Sequence, residues 1–189
     1  MIMKKSILIN IVFAAIMMMV SQAPLKAQRM ALTSNLLEDA VLTPNLGLDI
    51  VVSDRQSLAF DVSYAPYKLT EKFHNKHMAI RAGYKYWFSQ ALYAHYISID
   101  GVVSSSDVRI GNLGARDEYV GLGVGYGYSF IISKRLNIVP NVGIGFAYGS
   151  RYKGTDHMVK PNEGVQATSR TGFKPILTRL AITIQYVLR

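Results

Sequence analysis

The chain has 189 residues, a formal net charge of +9 and no cysteine. Disulfides, thiolate metal sites, a cysteine nucleophile and a cysteine-linked lipid anchor are therefore excluded, and the length suits one domain. The basic residues form no clustered stripe, so the charge does not point to nucleic acid.

Lys4 and Lys5 precede an apolar run, Ile7 to Val20, broken only by Asn10, and the segment closes on Leu25-Lys26-Ala27. This is the pattern of a secretory signal cleaved after a small residue. The run is shorter than the about 20 apolar residues of a spanning helix. The expected division is a signal peptide over 1–27 and a β-barrel domain over 28–189. Loss of Lys4, Lys5 and Lys26 lowers the formal charge to +6.

The rest of the chain reads as strands, because apolar residues recur at every second position. The first is expected over Met30 to Leu37. The second, Asn45 to Val52, aligns Leu46, Leu48, Ile50 and Val52, and ends in the turn Ser53 to Gln56. The third aligns Leu58, Phe60, Val62 and Tyr64. The fourth aligns Met78, Ile80, Ala82, Tyr84, Tyr86 and Phe88, and turns at Ser89 to Ala91. The fifth, Tyr93 to Val103, aligns Ile97, Ile99 and Val103. The sixth aligns Val120, Leu122, Val124, Tyr126, Tyr128 and Phe130, before a turn at Ser133 to Arg135. The seventh aligns Leu136, Ile138, Val142, Ile144, Phe146 and Tyr148, and contains Pro140, which cannot donate to a ladder. The eighth, Thr178 to Arg189, sets Leu180, Ile182, Ile184, Tyr186 and Leu188 on one face. Arg179, Ala181, Thr183, Gln185 and Val187 occupy the other.

Eight strands, short turns after strands two, four and six, and longer connections after three, five and seven predict an all-β fold. They fit an eight-stranded antiparallel transmembrane β-barrel of the outer membrane. Aromatic residues toward both ends of the apolar face fit two interfacial girdles. A soluble lipocalin-like barrel is the alternative. It would turn the apolar face inward and expose Gly121, Gly123, Gly125, Gly127, Gly143 and Gly145.

With the apolar face outward, the inward residues include Asn45, Asp49, Asp61, Arg81, Lys85, Trp87, Tyr96, Asp100, Asn141, Arg179 and Gln185. Eight strands leave room for side chains and little else, and buried charges need partners. A salt-bridged plug is expected, with Asp49, Asp61, Arg81, Lys85, Asp100, Arg179 and Gln185 as its polar network. The glycines form a wall that makes room for Arg81, Lys85 and Trp87. No cofactor and no metal is expected, and no catalytic constellation is visible. His74, His77, His157 and Ser104 to Ser106 lie near the outer loops without a motif. Two alternatives stay open: a narrow porin-like channel, and a lipid-modifying enzyme using a His–Ser pair.

Two pieces carry a resemblance. The stretch Ala31-Leu32-Thr33-Ser34-Asn35-Leu36-Leu37-Glu38-Asp39-Ala40 is followed by Thr43-Pro44-Asn45-Leu46-Gly47-Leu48. Further on stands Arg81-Ala82-Gly83-Tyr84-Lys85-Tyr86-Trp87-Phe88. Together these resemble a Bacteroidetes family of secreted proteins of unknown function, with a "TNLL-D…TPN-G" opening and an "-RYW-" strand. The family's usual terminal aromatic is replaced here by Val187-Leu188-Arg189. The resemblance implies an outer-membrane barrel, sometimes encoded beside fimbrial components, with no assigned activity. From the filled lumen and the one long loop, the expected role is non-enzymatic: a monomeric barrel in contact with outer-membrane lipid and lipopolysaccharide. Its loop 151–173 would meet a surface protein partner, in surface interaction or envelope and fimbria support.

Overall fold

The computed structural model describes residues 29–70, 73–110, 113–155 and 168–188. The signal segment expected over 1–27, and His157, lie outside them.

Eight antiparallel strands form one sheet that closes on itself in sequence order. They are β1 (Met30–Asn35), β2 (Asn45–Ser53), β3 (Gln56–Thr70), β4 (Phe73–Trp87), β5 (Ala94–Ile110), β6 (Leu113–Ile131), β7 (Leu136–Thr155) and β8 (Thr168–Leu188). Closure is made by β1 on β8, with Met30 opposite Leu188 and Asn35 opposite Thr183. Closure leaves no free edge over the height that β1 and β2 span. Each strand presents two faces, so the period of two seen in the sequence becomes an inside and an outside.

Three expectations need correction. The first strand stops at Asn35 instead of running to Leu37, and a helical turn, α1 (Leu36–Ala40), follows. Asn35 caps it, its side chain accepting from the backbone of Leu37 at 3.1 Å. Cap hydrogen bonds of this kind satisfy donors that an extended chain would give to a ladder.

The second correction concerns the outer connections. β3 and β4 pair up to Thr70 opposite Phe73, and β5 and β6 up to Ile110 opposite Leu113. Both ends of the segment expected as loop 151–173 are strand. β7 runs to Thr155, β8 starts at Thr168, and residues 156–167 are outside the description. The asymmetry between the two ends is thus an overhang of strands.

The third lies in β8. A bulge sits between Gly143 and Ile144 on β7, which face Arg179 and Leu177. It inserts Thr178 as an extra residue, and Thr178 is buried beside Arg179 instead of continuing the outward row from Leu180. Above it Phe173, Pro175 and Leu177 take the positions opposite Tyr148, Phe146 and Ile144. Pro140 is accommodated without a bulge. Pairing between β6 and β7 lapses between Gly127–Asn141 and Phe130–Ile138, where proline has no N–H to give.

Candidate functional site

The outward face is apolar over a defined height. On β6 the outward residues Val120, Leu122, Val124, Tyr126 and Phe130 are each at least half as exposed as a free side chain, or nearly so. Neighbouring strands match them rung by rung. Leu58, Tyr84, Ile99, Val124, Ile144 and Leu177 form one row. From Met78 to Phe88, Val120 to Phe130, Leu136 to Tyr148 and Phe173 to Tyr186, no outward position carries a lysine, arginine or acid. The polar boundary is sharp. One row up stand Tyr64, Met78, Ser105 and Glu118; two rows up stand Pro66, Lys76, Asp107 and Arg116.

The interior is filled in layers. At the end where the turns are short, a floor is built from Ala31, Trp87, Ala91, Leu92, Tyr96 and Val139. Trp87 is fully buried and its Nε1 donates to Ser57 Oγ at 2.9 Å. Its ring lies 4.5 Å from that of Tyr96. The turn between β4 and β5 closes the mouth from below. Leu92, at a φ of 69°, brings its carbonyl inside, where it accepts from Ser129 Oγ at 2.9 Å and Asn137 Nδ2 at 3.1 Å.

Above the floor lies a buried ion pair. Lys85 Nζ donates to both Asp49 oxygens, at 3.0 and 2.8 Å, and sits 5.1 Å from the centre of the Tyr96 ring. Gln185 Nε2 donates to Asp49 Oδ2 at 2.7 Å, and Asn137 Nδ2 to Gln185 Oε1 at 3.1 Å. Both oxygens of the Asp49 carboxylate thus have a donor, which is the condition for tolerating a buried charge.

The next layer is a shared carboxylate. Asp61 accepts from Arg81 Nη1 at 2.9 Å and from Arg179 Nη2 at 2.7 Å. Arg81 Nη2 also reaches Glu38 of α1 at 2.7 Å. Asp100 Oδ1 lies 3.5 Å from Arg179 Nη2, an electrostatic contact without hydrogen-bond geometry, and its Oδ2 accepts from Ser98 at 2.6 Å. All seven residues of the expected polar network therefore face the interior, in two clusters. Glu38 is the member that the sequence did not offer, because it stands on α1 rather than on a strand.

The glycine wall does make room, but for other side chains than Arg81, Lys85 and Trp87. A Cβ on Gly127 would meet the Tyr96 ring at 2.5 Å, and one on Gly125 would meet Ser98 and Asp100 at 2.5 and 2.9 Å. Gly123 and Gly143 face Thr178 at 2.6 Å, and Gly121 faces Ile176 at 2.8 Å. The bulge that turns Thr178 inward explains this: β8 leans over the wall. Gly145 is the tightest of the six wall glycines, since its Cβ would lie 2.2 Å from the Leu122 carbonyl oxygen. Backbone cannot move aside as a side chain can, so Gly145→Ala should destabilise by more than the about 1–3 kcal/mol of ordinary overpacking. Urea titration of the refolded protein measures it, with Gly101→Ala, whose Cβ would make only an ordinary contact 3.7 Å from the Ala82 carbonyl oxygen, as the near-neutral control.

Higher still the interior narrows onto small buried residues, Ala65, Ala79, Ser104 and Ala147. Lys174 Nζ pairs with Asp117 at 2.9 Å and lies 4.8 Å from the Tyr119 ring centre. His77 stands opposite Ser106, while Ser104 is opposite Ala79. The Oγ of Ser104 has no hydrogen-bond partner. No group of three metal-ligating side chains occurs among the described residues.

A family model described as "Protein of unknown function (DUF3575)" matches residues 11–188. The chain belongs to that family. No curated protein and no solved structure matches it.

Proposed function

Because membership in that family names no activity, we propose from the geometry that the chain is a non-enzymatic outer-membrane β-barrel acting through its outer crown. The observation that carries the reading is the apolar belt. On β6 it spans Val120 to Phe130, ten steps of about 3.3 Å. At a tilt of about 40° that is roughly 25 Å of height, the thickness of the lipid-facing band of such barrels. Tyr64 and Tyr148 toward one rim, and Tyr126, Tyr128, Phe130 and Tyr186 toward the other, sit where interfacial aromatics are favoured. The inward face supports the same orientation, since a soluble barrel buries apolar residues and this one buries Asp49, Lys85, Asp100 and Gln185.

In this reading the short turns face the periplasm and the strand overhang faces outward. The signal peptide, contact with lipopolysaccharide, and the support of envelope or fimbriae implied by the sequence resemblance belong to the same reading. The floor of Trp87, Leu92 and Tyr96 disfavours a channel, because apolar side chains leave no continuous wet path. The test is deletion of 156–167 in a strain that still assembles the barrel. Loss of the same phenotype as a full deletion is expected. A strain indistinguishable from wild type would remove the role assigned to the crown.

A further inference from the structure

Two of the eight strands are short, and that leaves a gap in the wall. β2 begins at Asn45 opposite Ser63, while β3 continues to Thr70; β1 ends at Asn35 opposite Thr183, while β8 extends to Thr168. From Thr168 to Ile182, β8 has no ladder partner on its β1 side among the described residues. Part of that edge, Phe173 to Ile182, lies at the height of the apolar belt. An unpaired edge surrounded by hydrocarbon costs several kcal/mol per orphaned group. The gap is covered instead by α1. Leu36 and Leu37 of α1, and Val41 and Leu42 in the turn after it, are exposed and apolar. α1 packs against β8, and Asn35 at the end of β1 adds a long hydrogen bond from Nδ2 to the Leu180 carbonyl at 3.5 Å.

This cover is fastened by side chains. Asp39 accepts from Ser34 Oγ at 2.7 Å and from Asn45 Nδ2 at 2.9 Å. Glu38 reaches inward to Ser63 Oγ and to Arg81 Nη2. Behind it is a cavity of about 30 Å³ lined by Asn35, Asn45, Asp61, Arg81 and Arg179, enough for one water. The Nε–H groups of Arg81 and Arg179 have no acceptor among the described residues. Three carboxylates, Glu38, Asp61 and Asp100, serve two guanidiniums. Asp61 and Asp100 are fixed on strands; Glu38 is the one carried by the cover.

We propose that α1 is a displaceable cover over a lateral window, and that the pocket beneath it binds a long-chain carboxylate whose head takes the place of Glu38. With Glu38 withdrawn, Asp61 and Asp100 balance the two guanidiniums, and Arg81 and Ser63 present free donors. A carboxylate restores the planar, charge-assisted contact that Glu38 makes. A phosphate head is bulkier than the group it would replace. The acyl chain leaves through the window along Leu180 and the leucines of α1. Glu38 is thus an internal competitor, and the affinity seen is reduced by the fraction of time it occupies the site.

The inference rests on the membrane reading, so the test first establishes heat-modifiable gel mobility for the folded protein in phosphatidylcholine nanodiscs. Saturable binding of radiolabelled laurate, one per barrel, is then measured for wild type and Glu38→Gln, with dodecanol and dodecyl phosphate as competitors. Glu38→Gln should bind about tenfold more tightly, a change of about 1.4 kcal/mol. Laurate alone should compete. A second readout leaves Glu38 intact: Ser63→Cys introduces the only thiol into a chain that has none. Ser63 is fully buried, so its replacement should react slowly with a maleimide, and laurate should change that rate. A heat-shifting barrel that takes up no saturable laurate, or whose thiol rate ignores laurate, overturns the proposal. Competition by dodecyl phosphate or dodecanol as strong as by laurate overturns the choice of a carboxylate. Absence of the heat shift defeats the membrane reading instead.

Discussion

Val124→Arg should weaken the folded protein in phosphatidylcholine vesicles by about 2–4 kcal/mol, the cost of an arginine at the bilayer midplane on a barrel's lipid face. Val124 lies in the middle of the outward row that Tyr84, Ile99, Ile144 and Leu177 complete. Ser105→Arg, placed beside Met78 and Glu118 at the polar boundary, should cost about 0–1 kcal/mol. Urea unfolding of the vesicle-bound protein gives both values. The depth dependence is the discriminating result. In water an exposed valine replaced by arginine stays within about 0.5 kcal/mol, so equal and small effects at both positions would place the belt in solvent.

Asp49→Leu should cost about 3–5 kcal/mol, because it leaves the Lys85 ammonium buried without its counter-charge. Lys85→Met should cost a similar amount by stranding the carboxylate. The double variant should recover most of the loss, since a hydrophobic pair of similar volume is often as stable as a buried ion pair. Recovery will be incomplete. Gln185 Nε2 loses its acceptor, and an unsatisfied buried amide costs about 1–3 kcal/mol. Equilibrium unfolding of the two single variants and the double variant closes the cycle. Single-variant losses under 1 kcal/mol would mean that water reaches the pair and that the interior is not the dry, filled plug described above.

What the sequence made legible follows from the period of two. Strands β2 to β7 alternate through the belt, so their inward and outward residues could be read directly, and with them Asp49, Asp61, Arg81, Lys85 and Asp100. The outer overhang was hidden because its residues are polar on both faces: Ser104, Ser105 and Ser106 look like loop, and only the ladder with Glu118, Asp117 and Tyr119 makes them strand. α1 was hidden by Leu36 and Leu37, which extend the apolar look of β1. The available signal was Asn35 followed three residues later by Glu38, the spacing of a helix start. Two features have no local signal. The bulge at Thr178 depends on the missing side chains of Gly123 and Gly143 on other strands. The tuck of Leu92 into the floor depends on donors from Ser129 and Asn137.

Gel mobility of the outer-membrane fraction, with and without boiling, tests the central claim most directly. Folded membrane barrels of this size resist SDS and migrate differently once heat unfolds them. The account predicts that the protein is found in that fraction and shifts on heating. A soluble periplasmic protein whose mobility does not change on boiling would contradict it, and the belt from Val120 to Phe130 would then require a partner in water.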